Sequence, residues 1–309
     1  MRVYQDYRNT LMRTGSDFVE AKKNRTTKSA SIIGLFVVAI IWGSTFTANK
    51  IALGALTPLS LMAIRFTFAF VIMVTIFRKK FVGIRLKDLR GGILCGISLF
   101  LAFILQTYGL LYTNAGKQAF LSGAYVIAVP FLTWITFKAK PSLKVYLGTV
   151  ICFLGIALIS LQPGFKIELG DFMTIVSSLF FAAQIVIAGY FVKSENPAVM
   201  STVQFGVMGG LSFVAALLIG DFAFLSIGKN MFAISSLSVT YLGIIGTAVA
   251  YYLQILCQKY ASPTTTSIIL SLEAVFGAIL AMIILGEAFT LRIIVGAIAI
   301  FVAILISEL

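Results

Sequence analysis

The chain has 309 residues, 60% of them hydrophobic and 11% charged, with a mean hydropathy of +1.02. Soluble domains run near about 45–50% apolar and 25% charged, so a water-soluble domain is excluded. Apolar runs of about 20 residues without alternation also exclude a transmembrane β-barrel. The net charge of +13 gathers before residue 30 and over Arg78–Arg90, beside apolar runs. That placement fits topology signals and anionic lipid and gives no nucleic-acid face.

In chain order, residues 1–29 are a polar cytoplasmic tail. The apolar stretch after it is too long for the h-region of a signal peptide and lacks a cleavage site. The sequence leaves open whether the tail is a surface helix or disordered. About ten apolar spans follow, over 30–54, 58–77, 91–112, 117–137, 142–161, 171–192, 198–219, 236–258, 264–286 and 290–307. Each is near the ~20 residues a helix needs to cross ~30 Å of hydrocarbon. Pro58, Pro141, Pro197 and Pro263 stand at span starts, where a missing N–H costs least. The expected fold class is therefore an all-α polytopic membrane protein.

Lysines and arginines orient the spans. With the N-terminus inside, the tail, Arg78–Arg90, the turn holding Lys138, Lys140 and Lys144, Lys193 and Lys259 all fall on the cytoplasmic side. The opposite side holds only Lys117, Lys166, Lys229 and Arg292. Both termini are expected in the cytoplasm of a bacterial-type cell carrying the chain in its inner membrane.

Self-comparison shows a repeat. A shift of 148 residues aligns "LQTYGLLYTNAGKQAFLSGAY" (105–125) with "LQILCQKYASPTTTSIILSLE" (253–273), matching Gln106 with Gln254, Tyr125 with Glu273 and Gly148 with Gly296. Upstream the shift is 139, which pairs Pro58 with Pro197, Phe66 with Phe205 and Trp42 with Phe181. Two five-span halves result, 30–162 and 163–309. Because five is odd, the second half enters the membrane reversed, so the repeats are inverted. Inverted repeats around a midplane site are a common plan of secondary transporters.

"WGSTFTANKIAL" in the first span, "AIRF" in the second, "YTNAGKQAFL" entering the fourth, "LEAVFGAIL" in the ninth and "LGEAF" closing it resemble the EamA-type family of drug/metabolite transporters. The likeness covers about residues 32–307. It implies a ten-helix carrier in which spans 1–4 and 6–9 surround a central cavity. It also implies ATP-independent export or exchange of amino acids or related metabolites. The first half departs from the pattern: it reads "TFKAKPSL" where the family often has a Gly-Glu pair, kept here only as Gly286-Glu287.

Polar residues inside spans are the candidate site, since a charge at a helix centre costs about 2.5–3.5 kcal/mol on insertion scales. Glu273 is the only acid deep in a span, with Gly277 and Ala281 on the same helix face. It reads either as a proton site or as a structural partner of Arg65 or a neighbouring helix. Arg65 reads as a grip for a substrate carboxylate, or as a side chain that snorkels outward or bonds backbone carbonyls at the end of the first span. Gln106 and Gln254 hold equivalent places, suited to substrate hydrogen bonds or to interhelical clasps. Trp42, Asn49, Tyr125 and Gln184 add rings and amides to a cavity or simply pack.

Enzyme readings have little support. The chain has no histidine, hence no HExxH site or Ser-His-Asp triad, and no GxxxxGK[ST] loop. Cys95, Cys152 and Cys257 lie in separate spans without CxxC spacing and read as packing residues. No cofactor or metal is expected. The reading is an alternating-access carrier of small metabolites in a lipid bilayer; proton coupling and a homodimer stay open. A lipid or lipid-linked sugar flippase and a non-transporting scaffold or sensor are the alternatives.

Overall fold

The computed structural model describes residues 2–113, 118, 121–138, 140–160, 168–221, 233–285 and 291–308. Lys117, Lys166, Lys229 and the Gly286-Glu287 pair lie outside the described residues. The regular structure described is helical: α1 (Arg2–Leu53), α2 (Pro58–Phe77), α3 (Arg90–Gly109), α4 (Tyr125–Phe137), α5 (Leu143–Ser160), α6 (Leu169–Phe191) and α7 (Pro197–Leu218). Then come α8 (Ala233–Gly243), a π segment (Ile244–Val249), α9 (Ala250–Gln258), α10 (Pro263–Leu270), α11 (Glu273–Leu285) and α12 (Leu291–Glu308). Six helical stretches among the described residues are long and apolar enough to cross a membrane, and Tyr125–Phe137, Leu143–Leu158 and Leu291–Ser307 are shorter apolar helices. The tail, left open by the sequence, is helical and continuous with the first span.

Helix starts follow local chemistry. Thr57 Oγ1 accepts the Ser60 N–H ahead of Pro58, Asn196 Oδ1 accepts the Ala198 N–H ahead of Pro197, and Ser262 Oγ accepts the Thr265 N–H ahead of Pro263. A side-chain oxygen thus satisfies a free amide while proline fills the first helical position.

The helices pair as the inverted repeat requires. At the α2–α7 crossing, a Cβ on Gly209 would meet Thr67 and one on Gly206 would meet Phe70. The shift of 139 turns each of these pairs into the other. At the α5–α12 crossing, a Cβ on Gly148 would lie 2.9 Å from the Ala303 carbonyl, and one on Gly155 would lie 2.7 Å from the Gly296 carbonyl. The shift of 148 exchanges those pairs in turn. In hydrocarbon, where burial gives little drive between helices, such close small-residue contacts supply the association. The remaining α5 and α12 surface, including Leu147, Leu154, Ile298 and Phe301, is exposed and apolar, as a lipid-facing layer needs to be.

Two spans differ from the continuous helices the sequence suggests. The fourth breaks at Gly123–Ala124 and the ninth at Ser271–Leu272, places that correspond under the repeat. The backbone tightens there into three-residue bonds, Ala124 N–H to Leu121 and Val126 N–H to Gly123 in one, Leu272 N–H to Ile269 and Ala274 N–H to Ser271 in the other. Each new helix then begins on a site candidate, Tyr125 or Glu273.

Candidate functional site

A cavity of about 870 Å³, including its open mouth, lies between the halves. It runs from Glu273 and Gln184 up to Asn49, Leu53 and Leu110, at the C-terminal ends of α1 and α3. Its mouth is therefore at the Leu53 end of the bundle, opposite the end that carries Lys193 and Lys259. Trp42, Asn49, Arg65, Gln106, Tyr125, Gln184 and Glu273 all line it. Gln254 does not: it is fully buried beyond the floor of the cavity.

Arg65 projects from α2 two turns after Pro58. Its Nε donates to Thr247 Oγ1 at 2.5 Å, Nη1 to Asn49 Oδ1 at 3.3 Å and Nη2 to the Gly246 carbonyl at 3.4 Å. Its Cζ sits 5.3 and 5.1 Å from the Phe66 and Phe103 ring centres, cation–π distance. A guanidinium has five N–H donors, so donors are left for a ligand. No ion pair joins Arg65 to Glu273, and no carboxylate bonds it among the described residues. The backbone carbonyl it meets belongs to the π segment, not to the end of the first span.

That π segment is a feature the sequence did not reveal. Its sixteen-atom rings displace Gly246 and Thr247 from a regular helix, and the Gly246 carbonyl also accepts Trp42 Nε1–H at 3.2 Å. The corresponding first-half stretch around Ser98 is ordinary α-helix. Trp42 and Arg65 are thus both positioned by a local irregularity that the corresponding first-half stretch lacks.

Glu273 begins α11, and its Oε1 accepts from Tyr125 Oη at 3.3 Å. Tyr125 is its own repeat equivalent. A residue meets its equivalent only near the axis relating the two halves, so Glu273 sits close to that axis. Phe103 and Tyr251, another equivalent pair, also meet, with ring centres 6.5 Å apart. Helices α1 and α11 approach closely beside Glu273: a Cβ on Gly43 would lie 2.8 Å from the Gly277 nitrogen and 2.9 Å from the Glu273 carbonyl. Gln106 Nε2 donates to Ser122 Oγ at 2.8 Å.

The repeat sorts the lining into two classes. Trp42 with Phe181, Thr45 with Gln184, Phe46 with Ile185, Phe103 with Tyr251 and Tyr125 with Glu273 are pairs in which both members line the cavity. Asn49, Leu53, Arg65, Gln106, Thr107, Leu110, Gln118 and Ser122 line it alone. Their second-half equivalents are Ala188, Val192, Gln204, Gln254, Ile255, Gln258, Thr266 and Leu270, each no more than 1% exposed. One passage is open and its counterpart is packed shut. Applying the repeat shift to Arg65 would have pointed to Gln204; the π segment leaves no such trace.

The EamA-like transporter family model matches the chain twice, over residues 29–161 and 168–309. An uncharacterized transporter of Archaeoglobus fulgidus is 32% identical over 280 residues, spanning 90% of this chain and 85% of the relative. The uncharacterized transporter YcxC of Bacillus subtilis is 24% identical over 298 residues, 91% and 94% of the two chains. A protein of known crystal structure superposes with a TM-score of 0.75 over 90% of this chain and 96% of its own, at 14% identity, which speaks to fold alone. With two family matches in tandem on a helical bundle of inverted halves, the chain belongs to the EamA-like transporter family.

Proposed function

We propose that the chain is a secondary active transporter that exports or exchanges small metabolites such as amino acids by alternating access. The observation that carries this reading is the cavity between inverted halves, open along one half and shut along the other. A cation and a carboxylate, Arg65 and Glu273, line it without pairing to each other. Arg65 grips a substrate carboxylate through its spare N–H donors. The rings of Trp42, Phe103, Phe181 and Tyr251 cover the apolar part of the solute. The membrane is the cell's inner membrane, both termini are cytoplasmic, and the Leu53 end faces outward.

Glu273 is the proposed proton site. A buried carboxyl favours its neutral form, and access to water through the open mouth favours the ionised one. Alternating between those settings links proton movement to the exchange of conformations. In proteoliposomes loaded with amino acids, Glu273→Gln is expected to keep counterflow but lose the response to an imposed pH gradient. Unchanged gradient-driven transport in that variant would remove the coupling role. A thermal-shift screen against amino acids, nucleosides and other metabolites identifies the solute by the melting temperature it raises.

A further inference from the structure

From Gln184 at the cavity floor, four glutamines form one buried chain running away from the cavity. Gln184 Nε2 donates to Gln204 Oε1 at 3.3 Å, and Gln254 Nε2 donates to Gln184 Oε1 and Gln258 Oε1, both at 3.2 Å. Gln258 Nε2 closes on the Ile185 carbonyl at 2.8 Å. These bonds tie α6, α7 and α9 together across the passage that corresponds to the open one. The equivalents of Gln184, Gln204, Gln254 and Gln258 are Thr45, Arg65, Gln106 and Leu110, all on the open cavity wall. Beside the cluster, Gly189 lets Pro263 close in: a Cβ there would lie 2.6 Å from the proline ring. The equivalent of Gly189 is Lys50, which is exposed.

We propose that this glutamine cluster is the lock of the shut passage, the group of positioning residues whose bonds must break for the Lys193 end to open. The proposal rests on the transport reading above. Two features suit a lock that yields. Its members are neutral amides, so breaking them strands no buried charge. Two of its atoms, Gln204 Nε2 and Gln254 Oε1, are buried without a partner among the described residues, a cost that water entering an opened passage removes. The shut arrangement is thereby held firmly enough to exclude solvent and weakly enough to exchange.

The test uses the full chain in sealed vesicles, with Cys95, Cys152 and Cys257 replaced by alanine and one reporter cysteine added. Leu53→Cys reports the open passage, and Val192→Cys, its repeat equivalent, reports the shut one. A membrane-impermeant thiol reagent is applied from each side in turn. In this background Leu53→Cys reacts readily and Val192→Cys resists. Adding Gln254→Glu places a carboxylate where the shut arrangement buries it and the opened one hydrates it. Labelling at position 192 is expected to rise at least about tenfold, the effect of 1.4 kcal/mol, while labelling at position 53 falls. A rise at both positions signals loosened packing and overturns the lock, as does no change at either. Should Gln254→Glu fail to insert, Gln258→Glu, at the edge of the cluster, carries the same test. If the opposed shifts appear but no solute is moved in any transport assay, the lock stands and the transport reading fails.

Discussion

The two halves carry the same path and use it differently. Around Arg65 and Gln106 in the first half the path is wide and lined with polar groups. Around Gln204 and Gln254 in the second, the eight positions that correspond to the singly lining residues are packed, none more than 1% exposed. The lesson is that inverted repeats need not be mirror images at any instant. One sequence plan holds two arrangements, and each half displays one of them.

The largest effects come from breaking what the halves share. Gly43 brings α1 backbone against α11, whereas its equivalent, Ala182, already carries a Cβ and is fully buried. Gly43→Leu drives a side chain into backbone and should cost about 3 kcal/mol or more, seen as loss of the monodisperse, cooperatively melting species. Ala182→Gly should cost only about 1 kcal/mol, the helix-propensity difference. Equal tolerance of the two changes would erase this asymmetry between the crossings.

Next comes the pair Arg65 and Gln204. Arg65→Leu removes charge-assisted hydrogen bonds worth about 1.5–3 kcal/mol each. It should raise the KM for a carboxylate-bearing solute at least about tenfold. Gln204→Leu, at the equivalent buried place, should leave KM within about threefold while altering the rate of exchange. Matching KM changes would mean that both positions touch solute.

The smallest effect lies at the Lys193 end. Glu195 Oε1 accepts the Gly91 N–H at 2.9 Å at the start of α3, and partial burial pushes its carboxyl above the usual range. The repeat equivalents, Leu56 and Val239, share an apolar cluster instead. Because the folded-state value is raised, the ionised form is slightly disfavoured, and any stability change appears as pH rises through it. Glu195→Gln keeps the acceptor and removes the charge, so melting should move by no more than the equivalent of about 0.5 kcal/mol. That residual pH dependence should vanish with it.

Much of this was legible in the residues. The apolar runs mark the spans, and the alignment of Gly148 with Gly296 foreshadows the α5–α12 crossing, where Gly155 meets the Gly296 carbonyl. Intramembrane cost singled out Arg65 and Glu273, which line one cavity. What escaped was local geometry without a compositional mark. The breaks before Tyr125 and Glu273 depend on a switch to three-residue bonds, and the π segment depends on one extra residue per turn. Gln254 reads like Gln106 in sequence. Whether such an amide faces solvent or a lock is decided by the arrangement of the halves, which no pattern records.

The most direct test is a pair of distances measured by spin labels on equivalent exposed positions. Ala55 and Tyr112 flank the open end, and Ser194 and Tyr260 are their counterparts at the shut end. In liposomes, adding a pool of amino acids should shorten the 55–112 distance while the 194–260 distance lengthens, each moving toward the other's starting value. Two distances that stay fixed, or that change in the same direction, would contradict alternating access through this cavity.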